Sequence, residues 1–130
     1  MRVEDNGVVT PLKLQIWDVA GEGKTQQLAH LFVRGVQVAI LVYSINSKPS
    51  FQNLDTWLEH LEESNNDFMV FLVGNKTDLE DQRAVSIALG EKRQRHTKRC
   101  EHFFETSAYT DVESILGLFD TVCKEIVRKK

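Results

Sequence analysis

Residues 68–73 read Phe-Met-Val-Phe-Leu-Val, and they run directly into Gly74-Asn75-Lys76-Thr77-Asp78. An apolar run this short, rich in branched and aromatic side chains and closed by glycine, predicts a strand buried on both faces, as inside a parallel sheet. The polar residues then sit at its carboxyl end. In open α/β sheets ligands bind at that end, so an amide, an ammonium and a carboxylate there mark a candidate site.

The chemistry open to these side chains is narrow. The Asp78 carboxylate can accept two parallel hydrogen bonds, which matches the N1–H and exocyclic amine edge of guanine. Adenine presents a lone pair at N1 and would meet the carboxylate with repulsion, a form of discrimination worth several orders of magnitude. The Asn75 amide can donate to N7 of the base, and the alkyl stem of Lys76 can lie across the ring. By itself a four-residue pattern of this kind is also met by ordinary polar loops.

Around this strand the chain alternates between two periodicities. Asn6-Gly7 lies between Arg2-Val3-Glu4 and the alternating residues 12–17, which predicts an amino-terminal antiparallel hairpin. Residues 26–33 pattern as a short helix, and residues 38–43 as a second fully buried strand. Ser47-Lys48-Pro49 supplies a cap and an early proline for a helix whose apolar side is Phe51, Leu54, Trp57, Leu58 and Leu61. Residues 86–99 read as helix and 101–105 as a short strand. Thr110 and Glu113 predict a capping box for a last helix buried through Val112, Ile115, Leu116, Phe119, Val122 and Ile126. Strands alternating with helices predict one α/β domain over residues 1–130, mostly parallel with an antiparallel edge.

Four further segments stand in a telling order with the first. Residues 17–21 are WDVAG, Arg34-Gly35 follows, residues 50–58 are SFQNLDTWL, residues 74–79 are GNKTDL and residues 105–108 are ETSA. In this order the chain resembles the Ras-like small GTPases, and is most similar to the Rab branch. The resemblance covers nearly the whole chain from about Val3 onwards. It implies the three-layer fold of P-loop NTPases, GTP or GDP as ligand, Mg2+ as cofactor, and effector or regulatory proteins as partners. It also implies GTP hydrolysis as a switch in vesicle traffic or signalling.

Carried over residue by residue, the resemblance makes Asn75, Lys76 and Asp78 guanine contacts. Ser107 and the Ala108 amide buttress Asp78 and meet the guanine carbonyl. Tyr109 stands where the family usually has lysine, and its ring can cover the ribose or base face. Asp18 matches the aspartate that holds Mg2+ through water in a complete domain, and Gly21 the glycine whose amide meets the γ-phosphate. Glu22 takes the place of a glutamine that orients the attacking water. A carboxylate only accepts hydrogen bonds and brings negative charge towards an anionic phosphate, so slow hydrolysis is expected.

The family's first strand, Walker A loop, first helix and magnesium-binding threonine have no counterpart before Val3. Gly23-Lys24-Thr25 resembles the end of a Walker A loop, but GxxxxGK[ST] requires glycine at position 18, where Asp18 stands. Impaired phosphate binding is the expectation, with a non-catalytic module that competes for effectors as the alternative.

Charge and cysteine usage narrow the setting. A formal net charge of −3 gives no reason to expect nucleic acid as a partner, and two cysteines make no disulfide framework. The expected location is cytoplasmic, without direct membrane insertion. The final Val127-Arg128-Lys129-Lys130 lacks the prenylated cysteines usual in Rab-like proteins, so peripheral attachment would need a lipidated tail beyond it. In a full-length protein, Glu22→Gln is expected to raise single-turnover GTP hydrolysis, because an amide can hold the water without adding charge. An unchanged rate would place Glu22 elsewhere.

Overall fold

The computed structural model describes residues 2–5, 7–11, 37–63 and 68–128. Strands β1 (Arg2–Asp5) and β2 (Val8–Pro11) pair antiparallel, with Asp5 opposite Val8, so two residues separate them. Gly7 has φ 79°, the left-handed conformation that two-residue hairpin turns require. The turn is where Asn6-Gly7 predicts it. The second strand, expected over residues 12–17, starts earlier because pairing resumes directly after so short a turn. Residues 12–17 and the helix expected over 26–33 lie outside the described residues.

The main sheet has the order β3 (Val38–Ser44), β4 (Met69–Asn75), β5 (Cys100–Glu105), all parallel. Helices α1 (Lys48–Gln52) and α2 (Leu54–Glu63) connect β3 to β4. A 3-10 helix over Thr77–Gln82 and helix α3 (Ile87–Arg95) connect β4 to β5, and α4 (Val112–Arg128) closes the chain. The hairpin forms a separate sheet among the described residues, with β1 against α4. No described helix is long and apolar enough to cross a membrane.

Strand β4 lies between two apolar layers, as residues 68–73 require. On one face Val70 and Leu72 pack with Leu41, Tyr43, Ile45 and Leu54, and Phe51, Trp57 and Leu58 of α1 and α2 close over them. On the other, Phe71 and Val73 pack with Leu118 and Val122 of α4. Each such buried side chain contributes roughly 1.5–3 kcal/mol.

Other boundaries depart from expectation for identifiable reasons. Strand β3 is not fully buried. Val42 is 54% exposed, because β3 is the edge of the described sheet and its α4-side face is only partly covered. The predicted helix after Ser47 is capped by that residue, whose hydroxyl accepts from Ser50 N at 3.3 Å, but it is interrupted at Asn53. Helix α3 stops at Arg95 rather than 99. The Thr97 hydroxyl donates to the Arg93 carbonyl, and Arg99 takes φ 65° to turn the chain into β5.

The last helix is capped one residue later than expected. Asp111 Oδ1 accepts from Ser114 N at 3.2 Å, while the Thr110 hydroxyl is engaged with Ser107. Its buried side runs through Leu118, Val122, Cys123 and Glu125, leaving Val112 and Leu116 more than 60% exposed. The helix has apolar residues on more than one face. Contact with Phe71 and Val73 selects which one is buried.

Tyr43 fills the space beside β4. It is 1% exposed, and its ring meets Phe51 edge-on at 4.9 Å. A Cβ on Gly74 would lie 2.8 Å from the Tyr43 hydroxyl, and one on Gly90 would lie 2.6 Å from it. Only glycine fits at position 74 while that ring is in place, and at position 90 the Phe103 ring stands closer still, at 2.5 Å. Burial above all, with the Glu105 charge adding to it and Arg83 opposing it, pushes the phenol up to about 12. Its hydroxyl has no hydrogen-bond partner among the described residues.

Gly74→Ala is therefore expected to cost roughly 1–3 kcal/mol in urea denaturation. Tyr43→Phe removes the clashing, unpaired oxygen and should recover part of that loss. Simple additivity of the two changes would show that the hydroxyl is not the obstacle.

Candidate functional site

The carboxyl ends of β4 and β5 lie side by side, with Gly74 in register with Glu105. Backbone bonds carry the pairing past both strand ends. Thr106 N donates to Gly74 O at 2.8 Å, and Thr77 N to Thr106 O at 3.1 Å. The loops that begin at Asn75 and at Thr106 thus leave the sheet as neighbours.

Their side chains are cross-linked. Asn75 Oδ1 accepts from the Thr106 hydroxyl at 2.9 Å and from Ala108 N at 3.3 Å. That use of the oxygen assigns the amide orientation and leaves the NH2 group as the donor for a ligand. Lys76 adopts φ 69°, ψ 38°, a left-handed conformation that turns the chain from the strand into the 3-10 helix. Asp78, in the first turn of that helix, accepts at Oδ1 from the Ser107 hydroxyl at 2.9 Å.

Ser107 is the hub of the cluster and is 1% exposed. Its Oγ also meets Thr110 Oγ1 at 2.9 Å and accepts from Thr110 N at 3.0 Å, while its own N–H donates to Ser114 Oγ at 3.2 Å. The result is a buried polar floor of Thr106 and Ser107 beneath exposed Lys76, Asp78 and Ala108. Asp78 keeps its second oxygen without a protein partner among the described residues. Tyr109 is 87% exposed and makes no part of the floor.

A residue not singled out from the sequence holds this rim together. Arg83 donates through both terminal nitrogens to Glu105, at 2.8 Å each, and through Nε and Nη2 to Glu80, at 2.8 and 2.7 Å. Its Nη1 also reaches Val85 O at 2.9 Å. The guanidinium thus ties the helix that carries Asp78 to the strand end that leads to Ser107. Hydrogen bonds to the two carboxylates hold the Arg83 pKa above its ordinary range. The same contact lowers that of Glu80. Glu80's share in stability is therefore present at neutral pH and is lost as the pH falls through the carboxylate range. The available signal was Glu105 itself: a carboxylate ending a half-buried strand needs a cationic partner.

Of the remaining expected site residues, Asp18, Gly21 and Glu22 lie outside the described residues, as does Gly23-Lys24-Thr25. The structure therefore brings together Asn75, Lys76, Asp78, Ser107 and Ala108, with Tyr109 beside them.

The Ras family model matches residues 4–128. The chain belongs to the Ras family. Among individual relatives it is similar to Ras-related protein Rab-17 of Homo sapiens, 40% identical over 130 residues, which is 98% of this chain and 59% of that protein. Rab-10 of Diplobatis ommata is 38% identical over 91% of this chain and 58% of its own length. RabQ of Dictyostelium discoideum is 35% identical over 89% of this chain and 56% of its own length. This Ras family chain is thus a Rab-like small GTPase sequence that spans little more than half the length of the curated relatives it matches. Its mixed α/β architecture with a parallel three-stranded sheet agrees with that family.

Within this Ras family fold, Arg83→Ala is expected to destabilise the chain by roughly 2–3 kcal/mol, since it leaves the mostly buried Glu105 carboxylate unpaired. Glu80→Gln, which removes an exposed and solvent-screened partner, should have a much smaller effect. Chemical denaturation of the two variants checks the order. Equal effects would show that the Glu105 pair is not the stabilising one.

Proposed function

We propose that this chain carries the guanine-recognising part of a Rab-like small GTPase, one domain that binds GTP and GDP and acts through GTP hydrolysis as a switch in vesicle traffic or signalling. The observation that carries the reading is the state of Asp78. One oxygen is anchored by buried Ser107, and the other is left to accept. With the anchored oxygen's remaining lone pair, the carboxylate has capacity for both donors on the guanine edge. Adenine would leave that carboxylate facing a lone pair.

The other groups divide the remaining work. The Asn75 NH2 donates to N7, the Lys76 stem covers one ring face, and the Ala108 N–H and Ser107 border the guanine carbonyl. Tyr109, fully outside the floor, is free to lie over the ribose. Asp18 and Gly21 serve Mg2+ and the γ-phosphate in the same reading, and Glu22 stands near the attacking water. Effector or regulatory proteins are the expected macromolecular partners, and membrane association is peripheral where a lipidated tail accompanies these residues.

Asp78→Asn in a form of the protein that binds nucleotide tests the base site. The new amide can donate to the 2-carbonyl of xanthine, so a competition titration should shift preference from guanine to xanthine nucleotides. Unchanged guanine preference would remove Asp78 from the site. The 130 residues alone contain no GxxxxGK[ST] sequence, and base contacts by themselves should hold GTP no tighter than about millimolar, or ~4 kcal/mol. Micromolar, EDTA-sensitive binding of a fluorescent GTP analogue would overturn that division and return the phosphate role to Gly23-Lys24-Thr25.

A further inference from the structure

At the opposite end of β5 from the base site, the strand breaks its alternation. Cys100 is in register with Val70 and His102 with Phe71, so Glu101 is an extra residue without a register partner. In an unbroken strand Cys100 and His102 would share a face. Instead Cys100 packs with Leu72 and Val70 on one face, whereas His102 stacks on Phe71, in the cluster of α4. Phe103 returns to the first face and Phe104 to the second. The bulge therefore turns two successive side chains, Glu101 and His102, towards α4.

Helix α4 brings a third group to them. Glu125 is 9% exposed, and donor atoms of Glu101, His102 and Glu125 all lie within 4.8 Å of one another. The imidazole is held flat against the Phe71 ring, with centroids 4.8 Å apart and planes 10° from parallel. Its Nε2 is 3.7 Å from Glu125 Oε1. That is too long for a direct hydrogen bond, yet near the separation of about 3.4 Å that two donors adopt on one tetrahedral ion with bonds of about 2.0–2.1 Å.

We propose that Glu101, His102 and Glu125 form a site for a divalent transition-metal ion, with Zn2+ as the ion the donor set fits. One imidazole nitrogen and two carboxylates leave a fourth tetrahedral position for water. Ca2+ and Mg2+ favour all-oxygen shells of six or more ligands, whereas imidazole suits zinc. The dication offsets two carboxylates, one of them nearly buried. Arg128, whose Nη1 lies 3.2 Å from Glu125 Oε1, balances that carboxylate and competes with the ion. Bound zinc would clamp α4 to β5 far from the nucleotide rim.

The test is calorimetric titration of the 130-residue protein with Zn2+, paired with thermal unfolding in the presence and absence of the ion. Binding of one ion per chain with a raised melting temperature is expected. His102→Gln and Glu125→Gln should each weaken binding at least about tenfold and abolish the melting shift. Glu101→Gln, at an exposed position that cannot disturb the core, should also weaken it, and Arg128→Ala should tighten it. Co2+ in place of Zn2+ reports the donor set, because thiolate ligands give intense charge-transfer absorption and nitrogen and oxygen ligands do not. Absence of binding, binding unchanged in Glu101→Gln and His102→Gln, or a thiolate spectrum from Cys100 or Cys123 would each overturn the proposal.

Discussion

A strand buried on both faces must also be paired on both edges, because its peptide groups have no water to turn to. Strand β4 meets that condition through β3 on one side and β5 on the other, with Ser44 opposite Asn75 and Gly74 opposite Glu105. These registers end all three strands at one level. The polar segments that follow β4 and β5 are consequently presented side by side, and their spacing is inherited from the sheet rather than from the loops.

What the sheet aligns, a small set of polar contacts then makes rigid. The Ser107 hydroxyl, shut away from solvent, orients Asp78 from below, and Asn75 spends its carbonyl oxygen on Thr106 and Ala108. A group whose acceptor is already occupied can offer a ligand only its donor, so protein contacts settle the polarity of the site before a ligand arrives. Arg83 extends the same logic outwards by binding two elements through Glu80 and Glu105. Such preorganisation lowers the ordering cost that binding would otherwise carry.

The two ends of β5 serve different purposes. Its carboxyl end continues a regular parallel register into the site, while its amino end carries the extra residue that brings Glu101 and His102 to one face. A single inserted residue reverses the side-chain pattern upstream without disturbing the downstream register, because alternation has period two. The membership of Cys100 and Phe103 in one cluster and Phe104 in the other records that reversal.

Local chemistry was legible wherever it was self-contained. The apolar run before Gly74, the Asn6-Gly7 turn, the Ser47 cap and the order of the WDVAG, GNKTDL and ETSA segments needed no partner to be recognised, and they led to the family and to the candidate residues Asn75, Lys76, Asp78 and 107–109. Features that depend on what lies opposite were not legible. The buried face of α4 is legible only in part, through Val122 and Ile126 but not Val112 and Leu116, because its apolar residues cover more than one face and only Phe71 and Val73 select among them. Arg83 carries no mark in the sequence because its partner Glu105 is 22 residues away in the chain. Likewise, Gly74 looked like a strand stop until the Tyr43 ring was found against it, and the bulge at Glu101 had no local signal at all. The sequence by itself determined the kind and order of the elements described after residue 37 and the residue types on the rim, since propensity and motif act over a few neighbouring residues. Only the tertiary structure decided which faces are buried, which charges are paired and which side chains converge, because those depend on residues that meet through the sheet and not along the chain.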